Sequence, residues 1–148
     1  MLRIRSILPV MLALVATLLV SCGGGVAKAP PTYTPEKIAA IEKAALPIER
    51  TKDRLGELSE LINAGDWVNV DNLIHGPFGN LRTSVSYFSR QLLPDDQDIA
   101  QDLAQELDED INKIDVAAKE KNSSQASRGY GDVLRDLESL LDLVPSGS

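Results

Sequence analysis

One cysteine, one histidine and a dense set of carboxylates are the residues of this 148-residue chain that could carry chemistry. Cys22 closes the run Leu19-Val20-Ser21-Cys22, directly behind an apolar stretch at residues 7–20 that follows Arg3 and Arg5. A basic start, an apolar segment too short to span a bilayer and small residues before the cut form a secretory signal. A cysteine at the cleavage point makes it a lipobox. Its thiol would take a diacylglyceryl group through a thioether, and the peptidase would cut just before it. The lone cysteine is then neither a redox centre nor a nucleophile. The other reading is an ordinary signal with a chance thiol. Several acyl chains at about 0.8 kcal/mol per buried methylene would hold the protein firmly to a membrane.

His75 is the second candidate. It sits at the end of a helical segment, in Ile74-His75-Gly76-Pro77. A helix C-terminus favours the protonated ring, which makes a pH switch conceivable. The plainer reading, which we favour here, is a residue at a helix break that bonds an exposed carbonyl. Acids crowd residues 95–110, and Asp98, Asp102 and Glu106 stack at i, i+4. Such a row could hold a divalent ion such as calcium weakly, but no EF-hand loop surrounds it, and a solvated face is the simpler account. No His-x-x-x-His or Glu-x-x-His pair and no glycine-rich phosphate loop opening a helix is present. Neither an enzyme, a metal site nor a bound cofactor is expected. A formal charge of −7, falling to −9 without Arg3 and Arg5, excludes nucleic acid as a partner.

Two features suit contact with another protein. Lys43, Arg50 and Arg54 follow one another at helical spacing around Pro47, a basic stripe on an acidic chain. Ordinary ion pairs with Glu57 and its neighbours account for it equally well. Trp67 follows Gly65-Asp66 and reads as a plug for one end of the fold or as an interface anchor.

The elements that must position these groups are helices. Residues 1–21 are the signal, 22–34 a flexible lipidated linker reaching at most about 40 Å, 35–144 the folded body and 145–148 a tail. Thr34-Pro35-Glu36 opens the first helix: a capping hydroxyl, proline at the first position, then an acid at the positive end of the dipole. Ile41, Ala44, Ile48, Thr51, Leu55, Leu58 and Ile62 form one stripe, with a kink expected at Pro47 and a left-handed cap at Gly65. Asp66 caps a second helix with Trp67, Val70 and Ile74 inward. The break at residues 75–77 keeps register with Phe78, Leu81, Val85, Phe88 and Leu92. Pro94-Asp95-Asp96 is read as the next turn and cap, before a third stripe of Ile99, Leu103, Leu107, Ile111, Ile114 and Ala118. Asn122 and Gln125 read as a capping box for a fourth stripe of Ala126, Tyr130, Val133, Leu137, Leu140 and Val144. No segment alternates with period two. The expected fold is all-α, an up-down-up-down four-helix bundle with an N-terminal flexible tether.

The lipobox, Tyr33-Thr34-Pro35-Glu36-Lys37-Ile38-Ala39, Asp66-Trp67-Val68, Ile74-His75-Gly76-Pro77-Phe78-Gly79 and Leu92-Leu93-Pro94-Asp95-Asp96-Gln97-Asp98 together resemble the cyanobacterial form of the PsbQ family, extrinsic proteins of photosystem II. The resemblance runs from the signal to Leu143-Val144-Pro145. It implies a lipid-anchored, non-catalytic subunit on the lumenal side of the thylakoid membrane. Its partners would be the photosystem II core and the other extrinsic subunits, and it would stabilise the oxygen-evolving complex and its calcium and chloride. The docking face is expected around Lys43, Arg50, Arg54, Trp67, His75, Gly76 and Pro77. A generic helical envelope lipoprotein acting as adaptor or chaperone is the alternative, since the fold would be the same.

Overall fold

The computed structural model describes residues 32–146. The signal and most of the linker, Cys22 included, lie outside the described residues, as does the end of the tail. Among the described residues, six α-helices make four rods. The first rod is α1 (Pro35–Asp53) and α2 (Leu55–Ala64). The second is α3 (Trp67–His75), a 3-10 turn (Phe78–Asn80) and α4 (Leu81–Ser89). The third is α5 (Pro94–Lys119), and the fourth is α6 (Ser123–Leu141). Each rod packs on its two neighbours: α1 on α4, α2 on α3, α5 on both α3 and α4, and α6 on α5, α2 and α1. This is the up-down-up-down four-helix bundle that the stripes predict.

The caps follow from local chemistry. The Thr34 hydroxyl accepts the Lys37 N–H at 3.3 Å with Pro35 in the first turn. Gly65 closes α2 at φ 67°, its N–H on the Ile62 carbonyl at 3.1 Å and the Asp66 N–H on Leu61 at 3.0 Å. That paired return satisfies two carbonyls the helix would leave bare, and it needs a left-handed residue. Asp66 then caps α3 through the Asn69 N–H at 3.3 Å. The same return ends α5, where Lys121 takes φ 55°, and the Asn122–Gln125 box opens α6 with N–H to Oδ1 at 3.1 Å.

All seven residues of the first stripe are buried, as are Val70, Ile74, Phe78, Leu81, Val85, Phe88 and Leu92 of the second. Aliphatic side chains supply most of the core, each square ångström buried contributing roughly 25 cal/mol. Gly129 is buried on the face of α6 that meets α5. A Cβ built there would lie 2.7 Å from Ile114 Cγ1, so only glycine fits without movement.

Three expectations need correction, and one break was not expected. α1 is helical through Pro47, as a kinked helix also would be, and the first rod is interrupted at Arg54, where the sequence reading placed no break. A proline costs one donor but its φ suits a helix. The Thr51 hydroxyl bonds back to the Pro47 carbonyl at 3.0 Å, and three residues on, the Arg54 N–H takes the Thr51 carbonyl at 3.1 Å, a tight turn that splits the rod. Pro94 is the first residue of α5, so Leu93 is the capping position and Asp95 and Asp96 lie within the first turn. Ile99 is 48% exposed, and Ala100 takes its place in the core. The 3,4 spacing before Leu103 admits either residue, and the small one faces inward next to the α4–α5 corner. Finally, Tyr33 is not free linker. Its ring packs on the core, its hydroxyl accepts the Leu93 N–H at 3.0 Å, and it donates to Asp96 Oδ2. Burial and the adjacent Asp96 carboxylate push the phenol above its usual range. The phenol offers an apolar body and a polar tip to a backbone N–H left bare at a helix start.

Candidate docking face and the acid–histidine cluster

The basic stripe stands on the first rod. Lys43 and Arg50 are exposed on α1, and Arg54 is exposed at the α1–α2 junction. Arg54 is not free: its Nε and Nη2 donate to Glu57 Oε2 at 3.0 and 2.7 Å. Trp67 opens α3 half-buried and packed on the core, while its neighbour Val68 is 73% exposed. Arg54 and Pro77 line one shallow crevice between α2 and α3, over Leu61 and Leu73. Gly76 lets the chain turn there. Its N–H returns to Asn72 O at 3.0 Å, and a Cβ would meet that oxygen at 2.7 Å.

His75 belongs to the other side of the second rod. As the last residue of α3 it turns toward α5, away from the crevice of Arg54 and Pro77, and lines a second crevice with Phe78, Arg82, Asp108 and Asp115. The expected face is therefore two surfaces on opposite flanks of α3. His75 Nε2 lies 3.2 Å from Asp115 Oδ1 and 3.4 Å from Asp71 Oδ1. Lys119 Nζ holds the second Asp115 oxygen at 2.6 Å. Burial pushes the Asp115 carboxyl up, but hydrogen bonds from Lys119 and His75 outweigh it and hold the group below the usual carboxylate range. The same contact raises Lys119. Among the described residues, Asp71, His75 and Asp115 are the one group whose ligand atoms converge, all within 4.8 Å of one another. The row of Asp98, Asp102 and Glu106 stands exposed along α5.

Sequence reading missed a second acidic group. Asp110 of α5 and Asp136 of α6 are both buried. Arg135 Nη2 lies 3.1 Å from Asp136 Oδ1 and 3.7 Å from Asp110 Oδ2, and Lys113 Nζ holds Asp110 Oδ1 at 2.5 Å. Asp136 Oδ2 is buried without a partner. Burial pushes the Asp136 carboxyl up, Arg135 opposes it, and the Asp110 carboxyl adds to the rise. A charge pattern at i, i+3 around Lys113 and Arg135 was legible, but not that the acids point inward.

Among the described residues, the polar partners of His75 are the carboxylates of Asp71 and Asp115, and no hydroxyl is bonded to it. No described helix is long and apolar enough to cross a membrane. The described residues form a four-helix bundle that offers exposed surfaces on both flanks of α3. The comparisons give it a family. The model of the PsbQ family, oxygen evolving enhancer protein 3, matches residues 4–145. CyanoQ of Synechocystis sp. (strain ATCC 27184 / PCC 6803 / Kazusa) is 42% identical over 147 residues, covering 99% of each chain. The chain belongs to the PsbQ family. It is an extrinsic, structural protein of photosystem II of the oxygen-evolving-enhancer type, not an enzyme.

Proposed function

We propose that the mature protein begins at an acylated Cys22 and stands on the lumenal side of the thylakoid membrane. There it clamps the photosystem II core and its other extrinsic subunits and helps the oxygen-evolving centre keep calcium and chloride. The observation that carries this reading is family membership over nearly the whole chain, joined to the lipobox at Leu19-Val20-Ser21-Cys22. The physics is compatible. A partner that binds only the assembled complex stabilises it by mass action. A tether raises the local concentration, so a weak contact suffices.

The docking face in this reading is the flank of Lys43, Arg50, Arg54, Trp67, Gly76 and Pro77, with His75 on the adjoining flank. Exposed cations on an acidic body select an acidic partner surface and steer association. The test is retention on photosystem II particles across a salt series. Reversal of charge at Arg50 and Arg54 should weaken retention, most at low salt where screening is least. Equal retention of the reversed and native proteins at every salt concentration would reject that face. Mass spectrometry of the mature N-terminus tests the anchor separately, and loss of oxygen evolution in a deletion strain under calcium and chloride depletion tests the clamp.

A further inference from the structure

We propose that the groove between α4 and α5 binds an extended segment of a partner protein in which small and basic residues alternate. Three observations carry this. The first is shape. The groove encloses about 1070 Å³ and is open to solvent. It follows α5 from Gln97 to Asn112, a rise of about 22 Å. That is long for a small-molecule pocket and matches about seven residues of extended chain at about 3.3 Å each. Val85, Ala100 and Ala104 make its floor, and their small side chains leave room over the seam. The second is a ladder of amides. Gln97, Gln101 and Gln105 follow one another at i, i+4 on the α5 wall, each step rising about 6 Å. Backbone groups on one edge of an extended chain recur at about 6.6 Å. A primary amide both donates and accepts, so each rung can bond an N–H and a C=O of such a chain. Gln97 Nε2 donates to the Leu92 carbonyl at 2.9 Å, which fixes the first rung, and Gln101 and Gln105 stand exposed beyond it. The third is charge. α4 contains no acid, and Arg82 on its rim is already held by Asp108 at 2.7 Å. The α5 rim carries Asp102 and Glu109, with Asp98 exposed one turn before Asp102.

The three observations select one kind of occupant. An extended chain bonded edge-on to the ladder points alternate side chains to opposite faces. One set meets the floor of Val85, Ala100 and Ala104, where small residues fit. The other set points outward, where lysine or arginine reaches Asp102 and Glu109. The carboxylates set the sign of the partner, and the amides require a backbone with groups to offer. An α-helix satisfies its own backbone groups and has none for the ladder. Arg90, beside the Gln97 end, donates to Ser86 Oγ at 3.3 Å, and its charge bars a further cation there. The groove lies on the seam of the second and third rods, whereas the basic stripe stands on the first. It is a second surface of opposite sign, independent of the first.

The experiment is fluorescence anisotropy of the purified full-length chain in detergent at low salt, titrated against labelled octapeptides. One probe alternates lysine and alanine, a second alternates glutamate and alanine, and a third is the lysine probe methylated on its backbone nitrogens. The lysine probe should bind at least about tenfold tighter than the glutamate probe. It should bind at least about fivefold tighter than its methylated form. Gln101→Ala with Gln105→Ala should lower affinity for the lysine probe at least about fivefold. The melting temperature of that variant should stay near the native value, because both side chains are exposed. Asp102→Asn with Glu109→Gln should also weaken binding, and the difference should shrink as salt is added. Arg50→Glu with Arg54→Glu on the first rod should leave binding of the lysine probe no weaker. Equal affinity of the native and double-alanine proteins, or of the plain and methylated lysine probes, would overturn the proposal, since charge alone would then account for the binding. So would the absence of saturable binding of the lysine probe to the native protein.

Discussion

Replacement of Asp136 by asparagine should stabilise the bundle at neutral pH. Asp136 is 1% exposed, and its Oδ2 has no partner, while the Asp110 carboxyl lies against it. A buried acceptor without a donor costs about 1–3 kcal/mol. The amide keeps an oxygen for Arg135 and places an N–H where Oδ2 stood, ready to donate to Asp110. It also removes one of two like charges. Against this, the bond to Arg135 loses its charge assistance, a loss of about 1 kcal/mol. The net expected gain is about 1–2 kcal/mol at pH 7, or roughly 3–8 °C in melting temperature for a domain of this size. Arg135 sits on the rim in contact with solvent, so its guanidinium is still hydrated in the variant.

The pH dependence gives the sharper assay. Burial raises the Asp136 carboxyl above its usual range in the fold. Such a group favours the folded state fully below its unfolded pKa, and this contribution is lost as pH rises through the folded value. The advantage of Asp136→Asn should therefore be largest at neutral pH and shrink as pH falls through that window. Urea melts of both proteins between pH 4 and pH 8, on the order of half-unit steps, measure it. The charged groups around the pair are Lys113 on α5 and Asp132 and Arg135 on α6. Destabilisation by Asp136→Asn at pH 7, or an advantage that does not change with pH, would refute the reasoning.

Three further outcomes follow from the same geometry. Gly129→Ala places a Cβ 2.7 Å from Ile114 Cγ1. The overpacking cost of about 1–3 kcal/mol should exceed the helix-propensity gain of about 1 kcal/mol, lowering the midpoint of a circular-dichroism melt. Tyr33→Phe removes the acceptor of the Leu93 N–H and the bond to Asp96. It should cost about 1 kcal/mol and speed amide exchange at Leu93. Asp115→Asn should destabilise the bundle at neutral pH but not in acid. The native carboxyl is held below its usual range, so its contribution is present above the unfolded pKa and disappears as pH falls.

The helical body was legible because burial on a helix follows a period, and every stripe but the third kept it without slippage. Ile99 shows where that argument stops. Spacings of three and four both lead back from Leu103, and the fold buries Ala100 while leaving Ile99 48% exposed. Pro47 shows a second limit of local reasoning: the residue with the strongest breaking chemistry stays helical, and the rod parts at Arg54, whose side chain gives no such signal. Tyr33 was read as linker because its neighbours are prolines. Its partners Leu93 and Asp96 lie some sixty residues away in sequence, and no local pattern reaches them.

The acids carry the deeper lesson. Asp110, Asp115 and Asp136 sit among apolar stripes, where a charged residue reads as part of the solvated face. Each of these acids has a cation on its own helix, Lys113 for Asp110, Lys119 for Asp115 and Arg135 for Asp136, and the opposite helix adds Arg135 to Asp110 and His75 to Asp115. The i, i+4 pair Asp71 and His75 was open to view in the sequence, yet it acquires meaning only when α5 sets Asp115 against it. The two inward acid groups also pull stability in opposite directions with pH. Asp115 weakens the fold as acid is added, whereas Asp136 strengthens it. Both lie on contacts made by α5, one with α3 and one with α6. A bundle braced in this way keeps its third rod seated on α6 across an acid shift that loosens its contact with α3, and the double variant Asp115→Asn with Asp136→Asn should show a flatter stability profile with pH than either single one.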